Sequence, residues 1–283
     1  MTRSSPRAGP GGGAARDETP FVELRGIHKA FDGHAVLNGA DLAVRRGEVL
    51  TILGGSGTGK SVMIKHMIGL LRPDRGSVWV EGEEVTRRSE REWFEVRRRF
   101  GYVFQGAALF DSLNVYENVA YPLREHLRWK EAAVAERVAS RLDAVGLAGS
   151  EGKMPAELSG GMRKRVGVAR AIALEPKVIL YDEPTTGLDP ANSRRIGEMI
   201  VNLQERLDVT SVVVTHELEL CFAVSDRVVM LDGGRIVTGG EPEDFRRSDH
   251  PSVREFLGGG EMAATGSRAG IGEGRGRGAG HGQ

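Results

Sequence analysis

The octapeptide GGSGTGKS, Gly54 to Ser61, follows the apolar run EVLTIL and leads into KSVMIKHMIGL, which has helical spacing. A strand, four glycines in six residues and a helix in immediate succession match the phosphate-loop pattern G-x-x-x-x-G-K-[ST]. Gly54, Gly55, Gly57 and Gly59, with Ser56 and Thr58 between them, let the backbone wrap an anion with successive N–H groups. The helix N-terminus behind them adds a favourable dipole. In such loops the lysine, here Lys60, reaches the β- and γ-phosphates, and the hydroxyl, here Ser61, ligates Mg²⁺. The flanking strand and helix weigh against a Gly-rich turn with no ligand.

A second element fits the same chemistry. VILYDEP, Val178 to Pro184, is a continuous apolar run ending in two carboxylates, as expected of a strand buried on both faces. Asp182 then stands at the carboxyl end of a sheet strand, where ligands bind in such folds. It is suited to holding Mg²⁺ through water, and Glu183 to orienting or polarising an attacking water. Alone, an apolar strand with Asp-Glu is as readily a strand meeting solvent; downstream of a phosphate loop it reads as the second half of an NTPase site. TSVVVTHE ends another apolar strand at His216. A lone histidine there is more often structural, but this one shares its sheet edge with Asp182 and the phosphate loop, within reach of a γ-phosphate.

LSGGMRKR, Leu158 to Arg165, supplies another Gly-rich helix start. Ser159, Gly160 and Gly161 leave free N–H groups and so form a second potential anion cradle. One chain binding one nucleotide has no evident use for two cradles. The economical arrangement is a dimer in which each chain's second cradle completes the other's nucleotide site.

With 283 residues, the chain can form one large domain or two modest ones. Strand-like runs open the folded unit, and short apolar strands alternate with helices after residue 178. That order implies an α/β fold with a mainly parallel sheet covered on both faces. Helical patterns at 59–71, 89–99, 127–147, 160–174, 190–207 and 217–225 accompany it. The stretch from about 88 to 165 interrupts the alternation and reads as a helical subdomain. Residues 1–19 and 258–283 read as disordered tails, the latter with 11 glycines in 26 residues. The tail arginines Arg268, Arg275 and Arg277 could touch RNA or anionic lipid, though a solvated tail is the plainer reading. Lys+Arg and Asp+Glu balance at 39 each, which gives no whole-chain argument for nucleic acid or an anionic surface. Cys221 is the single cysteine, which fits a reducing compartment and excludes an intrachain disulfide. No apolar segment is long enough to span a bilayer, and the N-terminus lacks the apolar core of a secretory signal.

QGAALFDSLNVYENVAYPL, Gln105 to Leu123, is unusually apolar. Leu109, Phe110, Tyr116 and Tyr121 either fill the helical subdomain or line a surface groove, and part of the run is expected to be exposed.

Together these pieces resemble the ATP-binding subunit of ABC transporters. The phosphate loop, LSGGM, VILYDE, GLDP (Gly187 to Pro190) and the histidine of VVVTHE occur in that family's order. The resemblance covers about 20–257. It implies a P-loop NTPase fold with N-terminal antiparallel strands and an inserted α-helical subdomain. It also implies ATP and Mg²⁺ as ligands, and a head-to-tail dimer with two ATP at its interface. Phe31 matches the aromatic that stacks on adenine, commonly Tyr in the family, and Val36 is expected among the nucleotide-binding residues. Gln105 matches the glutamine that meets Mg²⁺ and the attacking water; Asp189 matches the residue lining the dimer seam. Met162 departs from the usual Gln but lies beyond the Ser-Gly-Gly cradle, so hydrolysis is expected to survive it.

The phosphate-loop region, the signature and the Gln105 run look like the ATPase of Mla/Mkl-type, Mce-associated lipid transport systems. That resemblance implies phospholipid movement between the inner and outer membranes of a Gram-negative envelope. It implies a MlaE-type permease seated in the groove by a coupling helix, an Mce-domain protein and, in some systems, a small STAS-domain protein. The chain would then be peripheral, on the cytoplasmic face of the inner membrane, with no nucleic-acid partner. The alternatives are the ATPase of a polar-solute importer, a soluble ABC ATPase acting on ribosomes or DNA, and a regulatory module with a dead site. Lys60, Asp182, Glu183 and His216 argue against the last.

Overall fold

The computed structural model describes residues 20–266, with side chains through 258. In chain order the strands are β1 (Val22–Phe31), β2 (His34–Val44), β3 (Val49–Leu53), β4 (Arg75–Val80), β5 (Glu83–Glu84), β6 (Phe100–Val103), β7 (Val178–Asp182), β8 (Thr210–Thr215), β9 (Arg227–Asp232) and β10 (Arg235–Gly240). The helices are α1 (Lys60–Met67), α2 (Glu90–Arg97), α3 (Val115–His126), α4 (Glu131–Ala144), α5 (Gly160–Ala171), α6 (Pro190–Leu207), α7 (Leu218–Val224), α8 (Pro242–Arg246) and α9 (Pro251–Gly266).

The strands form two sheets. One is antiparallel, in the order β2-β1-β4-β5; the other has the order β10-β9-β3-β8-β7-β6. In the second, β9, β3, β8, β7 and β6 pair in parallel, and β10 is antiparallel at the edge. All five residues of β3 and of β7 are buried, as a parallel strand covered on both faces requires. Side chains alternate between the faces. Leu180, Val212 and Val214 pack with Met63, Ile64 and Met67 of α1 and with the antiparallel sheet. Ile179, Tyr181 and Val213 pack with α5 and α6. The register sets Leu53 beside Thr215 and Asp182 beside Val214. The segments leaving β3, β7 and β8 therefore emerge at one edge of the sheet.

β2 reaches over this sheet, where Asn38 N–H donates to Gly234 O at 2.9 Å and Arg235 Nε donates to Asn38 O at 2.6 Å. A smaller cluster under α8 and α9 holds Leu53, Val228, Met230, Phe245, Val253 and Cys221. Burial pushes the Cys221 thiol up to about 12. No helix among the described residues is long and apolar enough to cross a membrane.

Three boundaries differ from the sequence reading. The helical insertion was expected from about 88, but β6 returns the chain to the edge of the core sheet beside β7. Four residues are too few to show a period. The insertion proper begins beyond β6 and holds α3 and α4. α3 was not expected as a separate helix because Pro122 lies inside it. It starts nonetheless with a reciprocal cap, in which Asn114 Oδ1 accepts from Glu117 N–H and the Glu117 carboxylate accepts from Asn114 N–H. The folded unit was expected to end at 257, but that residue falls inside α9, which runs on to Gly266. Glu261, Met262, Ala263 and Ala264 favour helix despite the three glycines before them. The tail expected over 1–19, and the part of the C-terminal tail beyond 266, lie outside the described residues.

Candidate functional site

Gly59 enters α1 in a left-handed conformation, φ 101°, and a Cβ there would sit 3.0 Å from Val36 Cγ1. Only glycine fits, and the close approach seats the loop directly under β2. Lys60 is then placed at the first turn of α1, 5% exposed. Its Nζ donates to Gly54 O at 2.8 Å and to Gly55 O at 2.9 Å, and lies 3.3 Å from Glu183 Oε1. Thr58 Oγ1 closes the loop by donating to Gly55 O at 2.9 Å.

Asp182, at the end of β7, accepts two hydroxyl hydrogen bonds. Ser61 Oγ donates to Oδ1 at 2.6 Å and Tyr102 OH donates to Oδ2 at 2.7 Å. Tyr102 was missed by the sequence reading. It faces Leu180 across the β6–β7 ladder, so Asp182, two residues on, lies on the same face. Burial, then the Asp182 hydrogen bond, raises the Tyr102 phenol well above its ordinary range, so it stays a donor. Among the described residues no group of three or more His, Cys, Asp or Glu could hold a metal ion. One carboxylate and one hydroxyl, both hard oxygen donors, instead fit a Mg²⁺ that shares its shell with water and substrate phosphates.

Glu183 follows with φ 47°, a left-handed conformation costly for a side chain of this size. Its N–H donates to Val214 O at 3.0 Å, which holds the bend. The residue is 8% exposed, and its carboxylate lies between three groups. Lys60 faces Oε1; His216 Nδ1 is 2.9 Å from Oε2, and Thr186 Oγ1 donates to Oε2 at 3.3 Å. The structure thus brings Lys60, Ser61, Asp182, Glu183 and His216 into one cluster. A buried carboxylate with cationic and hydroxyl partners is poised to orient a nucleophile near a bound phosphate. Beside this cluster a cleft of about 740 Å³ runs past Gly55, Ser56, Thr58 and His216 to Met230 and Phe256, within the size range of small-molecule sites.

Phe31 ends β1 with 41% of its surface exposed, and Lys29 Nζ lies 5.5 Å from the ring centroid. Gln105 is exposed, and its backbone carbonyl accepts from Lys164 Nζ. Ser159 caps α5, its Oγ accepting from Met162 N–H at 3.3 Å. Asp189 caps α6 through Ala191 N–H and Asn192 N–H, both 3.0 Å. Asn192 also lies against Gly161, so the second cradle, with Gly160, and Asp189 stand side by side.

The Gln105–Leu123 run divides as expected. Val115, Val119, Ala120 and Leu123 are buried in the subdomain. Phe110 and Tyr121, each 43% exposed, meet at 4.9 Å between ring centroids. Nearby in chain order, exposed Phe94 of α2 stacks on His126 at 4.7 Å. Phe94, Phe110 and Tyr121 are thus exposed aromatic rings among the described residues.

Comparison with known proteins converges on one family. Residues 37–186 match the model described as ABC transporter. The probable ribonucleotide transport ATP-binding protein mkl of Mycobacterium leprae is 43% identical over 245 residues, 87% of this chain and 71% of that protein. The intermembrane phospholipid transport system ATP-binding protein MlaF of Haemophilus influenzae is 37% identical over 239 residues, 84% of this chain and 90% of MlaF. The methionine import ATP-binding protein MetN of Carboxydothermus hydrogenoformans is 40% identical over 241 residues, 84% and 71% of the two chains. Among solved structures, the dimeric ATP-binding cassette MJ0796 bound to ADP and phosphate superposes with a TM-score of 0.72 at 30% identity. It covers 78% of this chain and 98% of its own.

Proposed function

The chain belongs to the ABC transporter ATP-binding family, and from that premise we propose that it drives phospholipid transport between the membranes of a bacterial envelope through a MlaE-type permease. It is the ATPase subunit of an ABC transporter, hydrolysing ATP to ADP and phosphate. The observation that carries the hydrolytic mechanism is the Glu183 carboxylate held between Lys60 and His216 at the end of β7.

In this reading the triphosphate lies along Gly54–Ser61 with the adenine against Phe31 and Val36. Its phosphates compete with Gly54 O, Gly55 O and Glu183 for the Lys60 ammonium. As Lys60 turns to the phosphate, Glu183 is freed to orient the attacking water and take up its proton, and His216 contacts the γ-phosphate. Ser61 and Asp182, with Gln105, would hold Mg²⁺, which when bound supplies charge neutralisation on the β- and γ-phosphates. Tyr102 keeps the Asp182 carboxylate turned toward Ser61. Tyr102→Phe removes one hydrogen bond to a charged group, about 1.5–3 kcal/mol. The Mg²⁺ concentration needed for half-maximal turnover is then expected to rise about tenfold, and Mn²⁺ binding followed by electron paramagnetic resonance is expected to weaken in parallel. An unchanged metal requirement removes Tyr102 from this role.

A head-to-tail dimer places Ser159, Gly160, Gly161 and Asp189 of one chain over the nucleotide of the other. The exposed rings of Phe110 and Tyr121 support a groove for a permease helix with apolar anchors. The similarity to MlaF supports the lipid reading, with an Mce-domain protein and, in some systems, a STAS-domain protein as further partners. It also supports a peripheral place on the cytoplasmic face of the inner membrane. The similarity to MetN favours a second reading, a polar-solute importer with the same ATP chemistry.

A tagged purification from detergent-solubilised membranes separates these readings. A multi-span permease with an Mce-domain protein and bound phospholipid is the expected yield. A permease with a solute-binding protein discards the lipid, and ribosomes or DNA repair proteins without a permease discard transport. In the same assay Tyr121→Asp, a change at an exposed ring, is expected to cut permease recovery about tenfold, the loss of a single anchoring aromatic. Full recovery places the docking surface elsewhere.

A further inference from the structure

α5 grips the segment after Gln105 at three points. Lys164 Nζ donates to Gln105 O. Gly167 lies so close to Ala107 that a Cβ would sit 3.3 Å from the Ala107 carbonyl oxygen. Arg170 Nη2 donates to Ala107 O at 2.8 Å. Positions 164, 167 and 170 recur every three residues, so they share one face of the helix. The gripped segment is strained, with Ala107 at φ 62° and Ala108 at φ 46°.

Lys164 has a second reach. Its Nζ also lies 3.4 Å from Glu183 O, donating across to the residue that follows β7. The residue is 7% exposed. Desolvation lowers its pKa, opposed by the charges of Glu183, Glu217 and Asp182. A buried ammonium is costly unless it is satisfied, and here two backbone carbonyls from two different functional segments satisfy it. Five residues before Lys164 the same helix is capped by Ser159, at the Ser159–Gly161 cradle.

We propose that Lys164 is a positioning residue that couples the two nucleotide sites of the dimer. It sets the Gln105 loop and Glu183 of one protomer in register with α5, whose first turn completes the partner's site. A displacement of α5 then moves the cradle offered to the partner together with the backbone behind the chain's own Glu183. Occupancy at one site biases the other, and the bias is reciprocal. This inference rests on the head-to-tail dimer proposed above.

The test is Lys164→Met, which keeps length and removes the donor, with Lys164→Arg as the charge-conserving control. ATP affinity is expected to stay within about threefold of the parent, a change under 1 kcal/mol. Turnover is expected to fall about tenfold or more, as misplaced groups cause. The steepness of turnover against ATP concentration is expected to fall toward that of independent sites, and Lys164→Arg to recover part of it. If Lys164→Met does not fold, Lys164→Leu, shorter and without a donor, gives the same readings. A purely structural role lowers the melting temperature, affinity and turnover together and leaves the steepness intact; that result overturns the proposal. A Glu183→Gln chain that stays monomeric with ATP in size-exclusion chromatography removes the dimer and the coupling with it. If that chain does dimerise, and Lys164→Met matches the parent in turnover and steepness, the coupling alone is removed.

Discussion

Glu183→Gln is expected to bind ATP at least as well as the parent and to hydrolyse it about 10²–10⁴ times more slowly, the range attributed to a lost general base. The amide keeps the shape of the side chain at the left-handed bend and can still accept from Thr186 Oγ1. It no longer attracts the Lys60 ammonium 3.3 Å away, so a γ-phosphate meets less competition for that cation. Binding therefore holds while the proton acceptor is lost. With hydrolysis blocked, ATP accumulates at the dimer seam, and the apparent mass in size-exclusion chromatography should double on adding ATP with Mg²⁺. Single-turnover hydrolysis at the parent's rate would assign the base to another group.

Lys60→Ala is expected to do the reverse. The ammonium is buried against two carbonyls of the phosphate loop and the Glu183 carboxylate. Truncation removes a charge-assisted contact worth up to about 3 kcal/mol, or roughly a hundredfold in affinity. The loss should be seen by calorimetry with ATP and should be much smaller with adenosine, which lacks the phosphates. Fold stability should change less, because Glu183 keeps His216 and Thr186 as partners. Equal loss of ATP and adenosine would mean that the loop had collapsed, and the phosphate assignment would then lose its support.

Elements with strong local signals were legible in the sequence. α6 was expected over 190–207 and spans Pro190–Leu207, because Asp189 caps it and Pro190 sits at its first turn. The buried parallel strands were legible as unbroken apolar runs. α3 and β6 were obscured, one by an internal proline and the other by its length. At the site, the residues that belong to short contiguous motifs could be named in advance. Tyr102 could not, because its partner lies 80 positions away and nothing local distinguishes an edge-strand tyrosine. Lys164 sat inside a quoted motif, yet its two acceptors, 59 and 19 positions away, appear only when α5 is packed against β7 and the Gln105 loop.

The burial of Cys221 turns the chain into its own blank for thiol chemistry. The only sulfhydryl in the sequence is fully covered and is held far from its reactive form near neutral pH. A single cysteine introduced at exposed Asn202 of α6, outside both anion cradles, can carry a spin label or a fluorophore with no native thiol to remove first. The separation between two such labels, read during turnover, would then report seam opening and closing in otherwise unaltered protein.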